Sequence, residues 1–201
     1  MASKIVDKIL EGATDLFARQ GYFGSSTRDI ALRSDVAEPS LYRLFLNKEK
    51  LFQECLTVVV ERSLAPDQFL AVISGEVEEG EFSVLVAQAV RRWYFSLSAR
   101  SARLLMQAIL SDNNEWTDIA YSRIDKIIDI LSRQVETQAH IPKAKAAVAA
   151  RTLILALFQF KIARSVLGSG GKERDAVDMT IDQWLHGLPQ EVVSGHKQTG
   201  T

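Results

Sequence analysis

The chain has 201 residues, of which 47% are apolar and 24% are charged, and its formal net charge is −1. This composition is ordinary for a globular protein. It contains only four prolines and eleven glycines, and most of the glycines fall at the ends of helical patterns. We therefore predict an all-α fold. The longest apolar run, residues 153–158, is far too short to span a bilayer.

Two features of the sequence favour a cytoplasmic location. Residues 1–4 lead directly into an amphipathic pattern, so we expect no signal peptide. Cys55 is the single cysteine and has no partner for an internal disulfide; its helical spacing from Leu51 and Val59 favours a buried, apolar role.

The first fifty residues carry eight Lys and Arg against seven Asp and Glu. They lack the strongly basic character of a protein that binds DNA through charge alone.

The first helical pattern covers residues 4–20. One apolar stripe recurs at spacings of three and four residues, and its members are Ile5, Ile9, Ala13, Leu16 and Phe17. Gly21 suits the left-handed position just past a helix end. This pattern predicts a helix that buries one face.

The next two helical patterns form a helix-turn-helix. Ser26 to Asp29 resembles a capping box, which starts the second helix. Ser34 and Asp35 form the turn, and residues 38–46 form a short third helix with Leu41 and Phe45 as its buried pair. Asn47 can cap a fourth helix that begins at Lys48. This layout is typical of DNA-binding proteins.

The remaining chain predicts further helices with polar breaks. The fourth helix ends near residue 63, with a possible turn over 66–73; later helices cover 82–99, 101–110, 116–137, 143–167 and 174–186, and the breaks lie at 74–81, 112–114, 141–142 and 168–171. We divide the chain into a DNA-binding domain (1–47), a helical effector-binding and dimerisation domain (48–188), and a disordered tail (189–201).

The order and spacing of many residues in the N-terminal part resemble the DNA-binding domain of the TetR family. The match covers about fifty residues, namely Ile9-Leu10, Ala13, Leu16-Phe17, Gly21-Tyr22, Ser26-Thr27, Ile30-Ala31, Val36, Ser40-Leu41-Tyr42, Phe45, Asn47-Lys48-Glu49 and Leu51. Beyond residue 55 the similarity is one of architecture only. The resemblance implies a homodimeric transcription regulator, usually a repressor, that leaves a palindromic operator when a small molecule binds the C-terminal domain.

The predicted DNA contacts come from the residues and from the resemblance together. Thr27 and Arg28 lie in the first turn of a helix, which suits a phosphate, and Arg28 can also reach a guanine edge. Lys48 adds a charge to a second helix start. The resemblance implies that the third helix is the recognition helix. The complete predicted set is Ser26, Thr27, Arg28, Ala37, Glu38, Pro39, Ser40, Tyr42, Arg43 and Lys48. The alternatives to DNA contacts at three of these positions are a solvated surface arginine at Arg28, a half-buried aromatic ring at Tyr42 that supports the turn, and an exposed lysine without a specific contact at Lys48.

Three residues depart from the family pattern. Asp35 stands where glycine is common, and aspartate tolerates the left-handed region better than most residues. Ala37 leaves the third helix without a side-chain cap, a loss of ~1 kcal/mol, which Pro39 partly offsets by fixing φ. Glu38 places a negative charge near DNA. It can accept from a cytosine amino group or pair with Arg43, but it does not help nonspecific affinity.

The last two predicted helices suggest a dimer. Their apolar residues would pack within the chain and also on a second copy in an intersubunit four-helix bundle. The predicted interface residues are Leu157, Val166, Val177, Ile181, Trp184 and Leu185. The alternative is a monomeric core.

An effector pocket is plausible from composition alone. Aromatic and soft side chains of the kind that line such cavities are Trp93, Met106, Trp116, Tyr121 and Phe158, which would suit a small apolar or aromatic molecule; each one alone suits a core position better. A protein partner in place of a small effector is the main alternative. We predict no enzyme activity, cofactor or metal site, because the histidines at 140, 186 and 196 are scattered and no glycine-rich phosphate loop is present.

Overall fold

The computed structural model describes residues 2–63, 66–73, 82–167 and 172–188. Within these ranges the chain forms ten α-helices and no strand, which confirms the predicted all-α class. In chain order they are α1 (Ala2–Gly24), α2 (Thr27–Arg33), α3 (Glu38–Phe45), α4 (Lys48–Ser63), α5 (Pro66–Ile73), α6 (Phe82–Ser96), α7 (Ala99–Ile109), α8 (Asn114–Ala139), α9 (Lys143–Leu167) and α10 (Glu173–His186). The predicted loop at 74–81, the break at 168–171 and the tail at 189–201 lie outside the described residues.

The chain divides into two compact units. The first comprises residues 1–63 and 98–122, and the second comprises 64–97 and 123–201. The first unit is therefore discontinuous in sequence, because α7 packs on α1 and α4. The predicted functional boundary between residues 47 and 48 is a different kind of division and stays a prediction.

In the first unit, the end of α1 is shaped by Gly21. This residue has φ 81° and ψ 166°, so the helical run bends there and continues to Gly24. A positive φ of this size favours glycine. Next to the bend, the Phe17 carbonyl accepts from Gln107 Nε2 (2.7 Å), and the Gly21 carbonyl accepts from Ser25 Oγ (2.7 Å). The sequence predicts that the first helix ends before Gly21; in the structure the helix is kinked at Gly21 and the helical run continues beyond it.

A second glycine permits the close approach of α1 and α2. A Cβ atom at Gly12 would lie 2.4 Å from Ser34 Oγ, closer than such atoms can come. Ser34 ends α2 and is 1% exposed. The pair fixes how tightly the first two helices of the DNA-binding module pack.

The second unit is built on α6, which packs against α5, α9 and α10, while α9 also packs against α10. An ion cluster joins these helices: Glu173 Oε1 accepts from Tyr94 Oη (2.8 Å) and from Lys161 Nζ (3.1 Å). The Lys161 side chain is only 10% exposed. Burial alone would raise the pKa of Glu173, but the hydrogen bonds from Tyr94 and Lys161 and the nearby cations outweigh it and lower that pKa.

Within the part of the chain that the structure describes, one helix is long and apolar enough to cross a membrane by length and composition. It covers Lys143–Val166 within α9, and 44% of its most apolar window is buried inside the protein. A core helix passes the same test, so this finding is weak support for a membrane span.

Candidate nucleic-acid interface

The start of α2 is held by a side-chain cap. Ser26 has extended backbone angles, and its Oγ accepts from the Asp29 backbone N–H (3.0 Å). The same hydroxyl donates to Asp29 Oδ2 (2.6 Å), so the carboxylate bonds the Ser26 side chain where a complete capping box would bond its backbone. Arg28, in this first turn, is exposed and makes no hydrogen bond or ion pair with the described residues.

The turn between α2 and α3 contains the aspartate that replaces the usual glycine. Asp35 has φ 50°, as the sequence predicts for this position. Its Oδ2 accepts from Lys8 Nζ on α1 (2.9 Å). That hydrogen bond and the lysine charge lower the pKa of the exposed Asp35 carboxyl. The left-handed residue is thus tied to α1 at the surface.

Helix α3 has one buried face and one accessible face. Leu41 and Phe45 are 0% and 7% exposed and fix the helix on the core. Ala37 precedes the helix without a side-chain cap, and Pro39 lies in its first turn, as predicted. The residues on the accessible face are Ala37, Glu38, Pro39, Ser40, Tyr42 and Arg43, each exposed or half-buried. This face can enter a groove.

A hydrogen-bonded group joins the two helices of the motif. Thr27 Oγ1 donates to Glu38 Oε1 (2.7 Å) and lies 2.9 Å from Tyr42 Oη. The predicted pairing of Glu38 with Arg43 is absent among the described contacts, because the carboxylate faces Thr27. Sequence patterns missed this group, since its members are eleven and fifteen residues apart across a turn.

The start of α4 presents Lys48 next to an aromatic ring. Asn47 Oδ1 accepts from the Lys50 backbone N–H (2.8 Å), which confirms the predicted cap. Lys48 Nζ lies 4.5 Å from the centre of the Tyr22 ring. Burial lowers the pKa of Lys48. Tyr22 therefore restrains the ammonium group through a cation–π contact, a role that the sequence did not reveal.

The predicted effector residues fall in different surroundings. Trp93 and Phe158 are 4% exposed and belong to the second unit, whereas Met106, Trp116 and Tyr121 belong to the first. The Trp116 ring packs 4.4 Å from that of Phe52 and 4.7 Å from that of Tyr22, centre to centre. Trp116 is thus part of an aromatic core behind Lys48.

The predicted interface residues are mostly buried within the single chain. Leu157, Val177, Ile181 and Leu185 are 0–6% exposed. Trp184 is half-buried, and its Nε1 donates to the Ala149 carbonyl of the same chain (2.8 Å). Val166 is 70% exposed, and two further apolar side chains of α9 and α10 are exposed as well, Val148 (66%) and Met179 (58%).

A comparison with known families agrees with the geometry of the N-terminal helices. The family described as "Bacterial regulatory proteins, tetR family" matches residues 9–55. The N-terminal helices are thus similar to the DNA-binding domain of that family. The match covers most of α1, all of α2 and α3, and the first half of α4. It contains every predicted DNA contact.

Individual relatives of the chain are distant in sequence. The biofilm operon negative transcriptional regulator IcaR of Staphylococcus aureus (strain Newman) is 23% identical over 130 residues, which are 64% of this chain. The matching segment spans 66% of IcaR, just under two thirds of its length.

Solved structures resemble the chain over nearly its whole length. A TetR-family regulator from Mesorhizobium loti has a TM-score of 0.71 at 17% identity, covering 93% of this chain and 98% of its own. NalD, the secondary repressor of the MexAB-OprM efflux pump in Pseudomonas aeruginosa, has a TM-score of 0.69 at 20% identity, with coverages of 95% and 100%. These similarities establish the fold, a helix-turn-helix followed by a helical C-terminal part.

No metal centre is formed by the described residues: they contain no group of three or more His, Cys, Asp or Glu side chains that could hold a metal ion.

Proposed function

We propose that this chain is a sequence-specific DNA-binding transcription repressor that acts as a homodimer. The observation that carries the proposal is the accessible face of α3, within a matched TetR-family domain, which presents Ser40, Tyr42 and Arg43 outward while Leu41 and Phe45 hold the helix on the core. A helix presented in this way fits the major groove. The names of IcaR, a negative regulator, and NalD, a secondary repressor, support repression.

The DNA contacts divide by chemistry. Hydroxyl and ammonium groups of Ser26, Thr27, Tyr42 and Lys48 suit backbone phosphates, which position the protein. Arg28 and the α3 residues Ala37, Glu38, Pro39, Ser40 and Arg43 suit base edges. With so even a balance of charges in the module, affinity depends on placing a few cations well and on doubling them through the dimer.

The second copy would pack on the exposed side of α9. Val148, Ala156, Ala163 and Val166 are all exposed there and recur at spacings close to whole helical turns, with the exposed polar residues Thr152 and Gln159 on the same face. Small and apolar side chains of this kind let two helices approach closely. The predicted residues that are buried in the single chain would support this surface from beneath.

Release by a small apolar or aromatic effector is the regulation that we propose, with a cytoplasmic location. Its support is the match of the N-terminal helices to the TetR family and the aromatic side chains of the second unit, Trp93 and Phe158. The alternative, a protein partner in place of the effector, would need an exposed apolar surface on the C-terminal part. We assign the exposed side of α9 to the second copy, so it does not support that alternative.

Fluorescence anisotropy with a labelled duplex from upstream of the chain's own gene tests DNA binding. We expect the unmodified protein to bind and Arg43→Ala to bind about fivefold more weakly or worse, since a good base contact contributes about 1–3 kcal/mol. Arg133→Ala removes an equally exposed arginine from α8, outside the helix-turn-helix, and should bind as the unmodified protein does. Equal losses for both variants, or no binding by the unmodified protein, would contradict the proposal.

A further inference from the structure

Two of the three hydroxyl groups that we assign to DNA phosphates, those of Thr27 and Tyr42, are already engaged with each other and with Glu38 inside the protein. A hydroxyl has one hydrogen to donate. Thr27 donates its hydrogen to Glu38 Oε1 (2.7 Å), so the 2.9 Å contact between Thr27 Oγ1 and Tyr42 Oη must use the hydrogen of Tyr42. A chain of two hydrogen bonds therefore runs from Tyr42 through Thr27 to the Glu38 carboxylate.

A backbone phosphate would compete for the same two hydrogens. Its oxygens only accept hydrogen bonds, so Thr27 and Tyr42 can donate to it only by leaving Glu38 and each other. The carboxylate would then lose its donor while a second negative charge comes close to it. Hydrogen bonds to charged groups are stronger than neutral ones, so this exchange opposes phosphate binding.

The cost of separating the two hydroxyl groups from Glu38 is offset where DNA gives the Glu38 carboxylate a new hydrogen-bond donor. In the major groove such a donor is the amino group of cytosine, which a glutamate can accept. Glu38 begins the accessible face of α3 and is half-buried, so a modest rotation of its side chain leads from Thr27 outward. DNA without a cytosine at that place leaves the carboxylate without a partner beside the phosphates.

We propose that Glu38 determines specificity by holding the hydroxyls of Thr27 and Tyr42 in place of a phosphate, which selectively weakens binding to DNA that offers Glu38 no donor. This inference rests on the proposed DNA-binding function. It makes Glu38 a residue that lowers nonspecific affinity, and it makes Tyr42 and Thr27 the groups through which it acts.

The test compares Glu38→Ala with a matched loss of charge, Glu54→Gln, on the exposed side of α4. Affinities are measured for the duplex most enriched by selection from random DNA and for a scrambled duplex of the same composition, at about 50 mM and about 200 mM salt. We expect Glu38→Ala to bind the scrambled duplex about fivefold more tightly or better, to gain nothing on the selected duplex, and to keep its gain at the higher salt. Any gain from Glu54→Gln should be small and should vanish with salt.

Tyr42→Phe supplies the second comparison. If Glu38 acts by competing for the hydroxyl hydrogens, the gain from Glu38→Ala on scrambled DNA should shrink in a Tyr42→Phe background. Glu38→Gln, which keeps the shape of the side chain, should shift the ratio of the two affinities in the same direction as Glu38→Ala. It guards against a folding defect of the alanine variant.

Each remaining outcome counts against the inference. Equal gains on both duplexes, a gain no larger than that of Glu54→Gln, or a gain unchanged by Tyr42→Phe would overturn the role of Glu38 while leaving DNA binding intact. Absence of binding by the unmodified protein to either duplex would instead overturn the proposed function, and this inference with it.

Discussion

At the scale of single residues, local hydrogen bonds were predictable and distant ones were not. The caps of Ser26 and Asn47 follow from rules that involve three neighbouring residues, and the structure contains both. The left-handed Asp35 follows from its position in the turn. The contacts of Thr27 with Glu38 and of Tyr22 with Lys48 depend on how helices pack, which no local pattern encodes.

Arg28→Ala and Lys48→Ala should weaken DNA binding in different ways. Lys48 places one ammonium group at the start of α4, so its loss should weaken binding about equally on all sequences and lower the salt slope by about one for each copy in the dimer. Arg28 can form a two-pronged bond to guanine, so its loss should cost about 1–3 kcal/mol on the selected duplex and less on a scrambled one. Salt-titrated binding of both variants to both duplexes measures this. Equal losses on the two duplexes for Arg28→Ala would reduce Arg28 to a phosphate contact.

At the scale of helices, the amphipathic patterns predicted most elements, and tertiary packing modified them. The stripe of α1 predicted its buried face from Ile9 to Phe17, but it was wrong at Ile5, which is 43% exposed. The bend at Gly21, next to the hydrogen bond from Gln107 of α7, extends the helical run to Gly24. The apolar residues of α9 are predicted to pack within the chain and on a second copy. In the structure Leu153, Leu157 and Phe158 are buried while Ala156 is exposed, because α6 and α10 cover only part of the helix.

Gly12→Ala should destabilise the N-terminal module. The added methyl group would meet the buried Ser34 Oγ, and overpacking of this kind costs about 1–3 kcal/mol. Ser34→Ala removes the colliding oxygen, which has no hydrogen-bond partner among the described residues. We expect the double variant to recover most of the loss in free energy of unfolding, measured by urea denaturation. Equal destabilisation with and without Ser34→Ala would show that the collision lies elsewhere.

Glu173→Gln should destabilise the second unit at neutral pH by about 1–3 kcal/mol, because it leaves the nearly buried Lys161 ammonium without its counter-charge. The folded protein lowers the pKa of the Glu173 carboxyl. The ionised carboxylate therefore stabilises the fold fully above its ordinary pKa of about 4.3, and this stabilisation is lost as the pH falls through the lowered pKa. The difference in unfolding free energy between the two proteins should therefore narrow in acid. Asp129→Asn, at an exposed carboxylate of α8, is the control. A difference that does not change with pH would contradict the assignment of this ion cluster.

At the scale of the whole molecule, the sequence indicated the fold class and a TetR-family domain, but it did not indicate the grouping of α7 with the N-terminal helices. That grouping depends on contacts such as Gln107 with Phe17, ninety residues apart. It also could not separate core from interface in α9 and α10, since both are apolar. Residues that are exposed in the folded single chain are the candidates for the interface, and for this reason the dimer proposal uses Val148 and Val166.

Val166→Asp should give a monomer while the chain stays folded, because the side chain is 70% exposed and its replacement places a charge in the proposed apolar interface. Trp184 is a poorer probe, since its ring bonds to Ala149 within the chain. Leu110→Asp replaces an equally exposed apolar side chain on the first unit and should leave the dimer intact. Sedimentation at micromolar concentration distinguishes the two states. A monomer for the unmodified protein would defeat the proposal.

Selection of bound duplexes from random DNA tests the central claim most directly. A homodimer with one α3 helix in each of two successive major grooves should enrich an inverted repeat, with half-site centres about one helical turn apart or slightly more. Ser40→Ala and Arg43→Ala should alter the selected bases symmetrically in both halves. Enrichment of a single unrepeated site, or no enrichment above the starting pool, would contradict the account of this chain as a dimeric, sequence-specific DNA-binding protein.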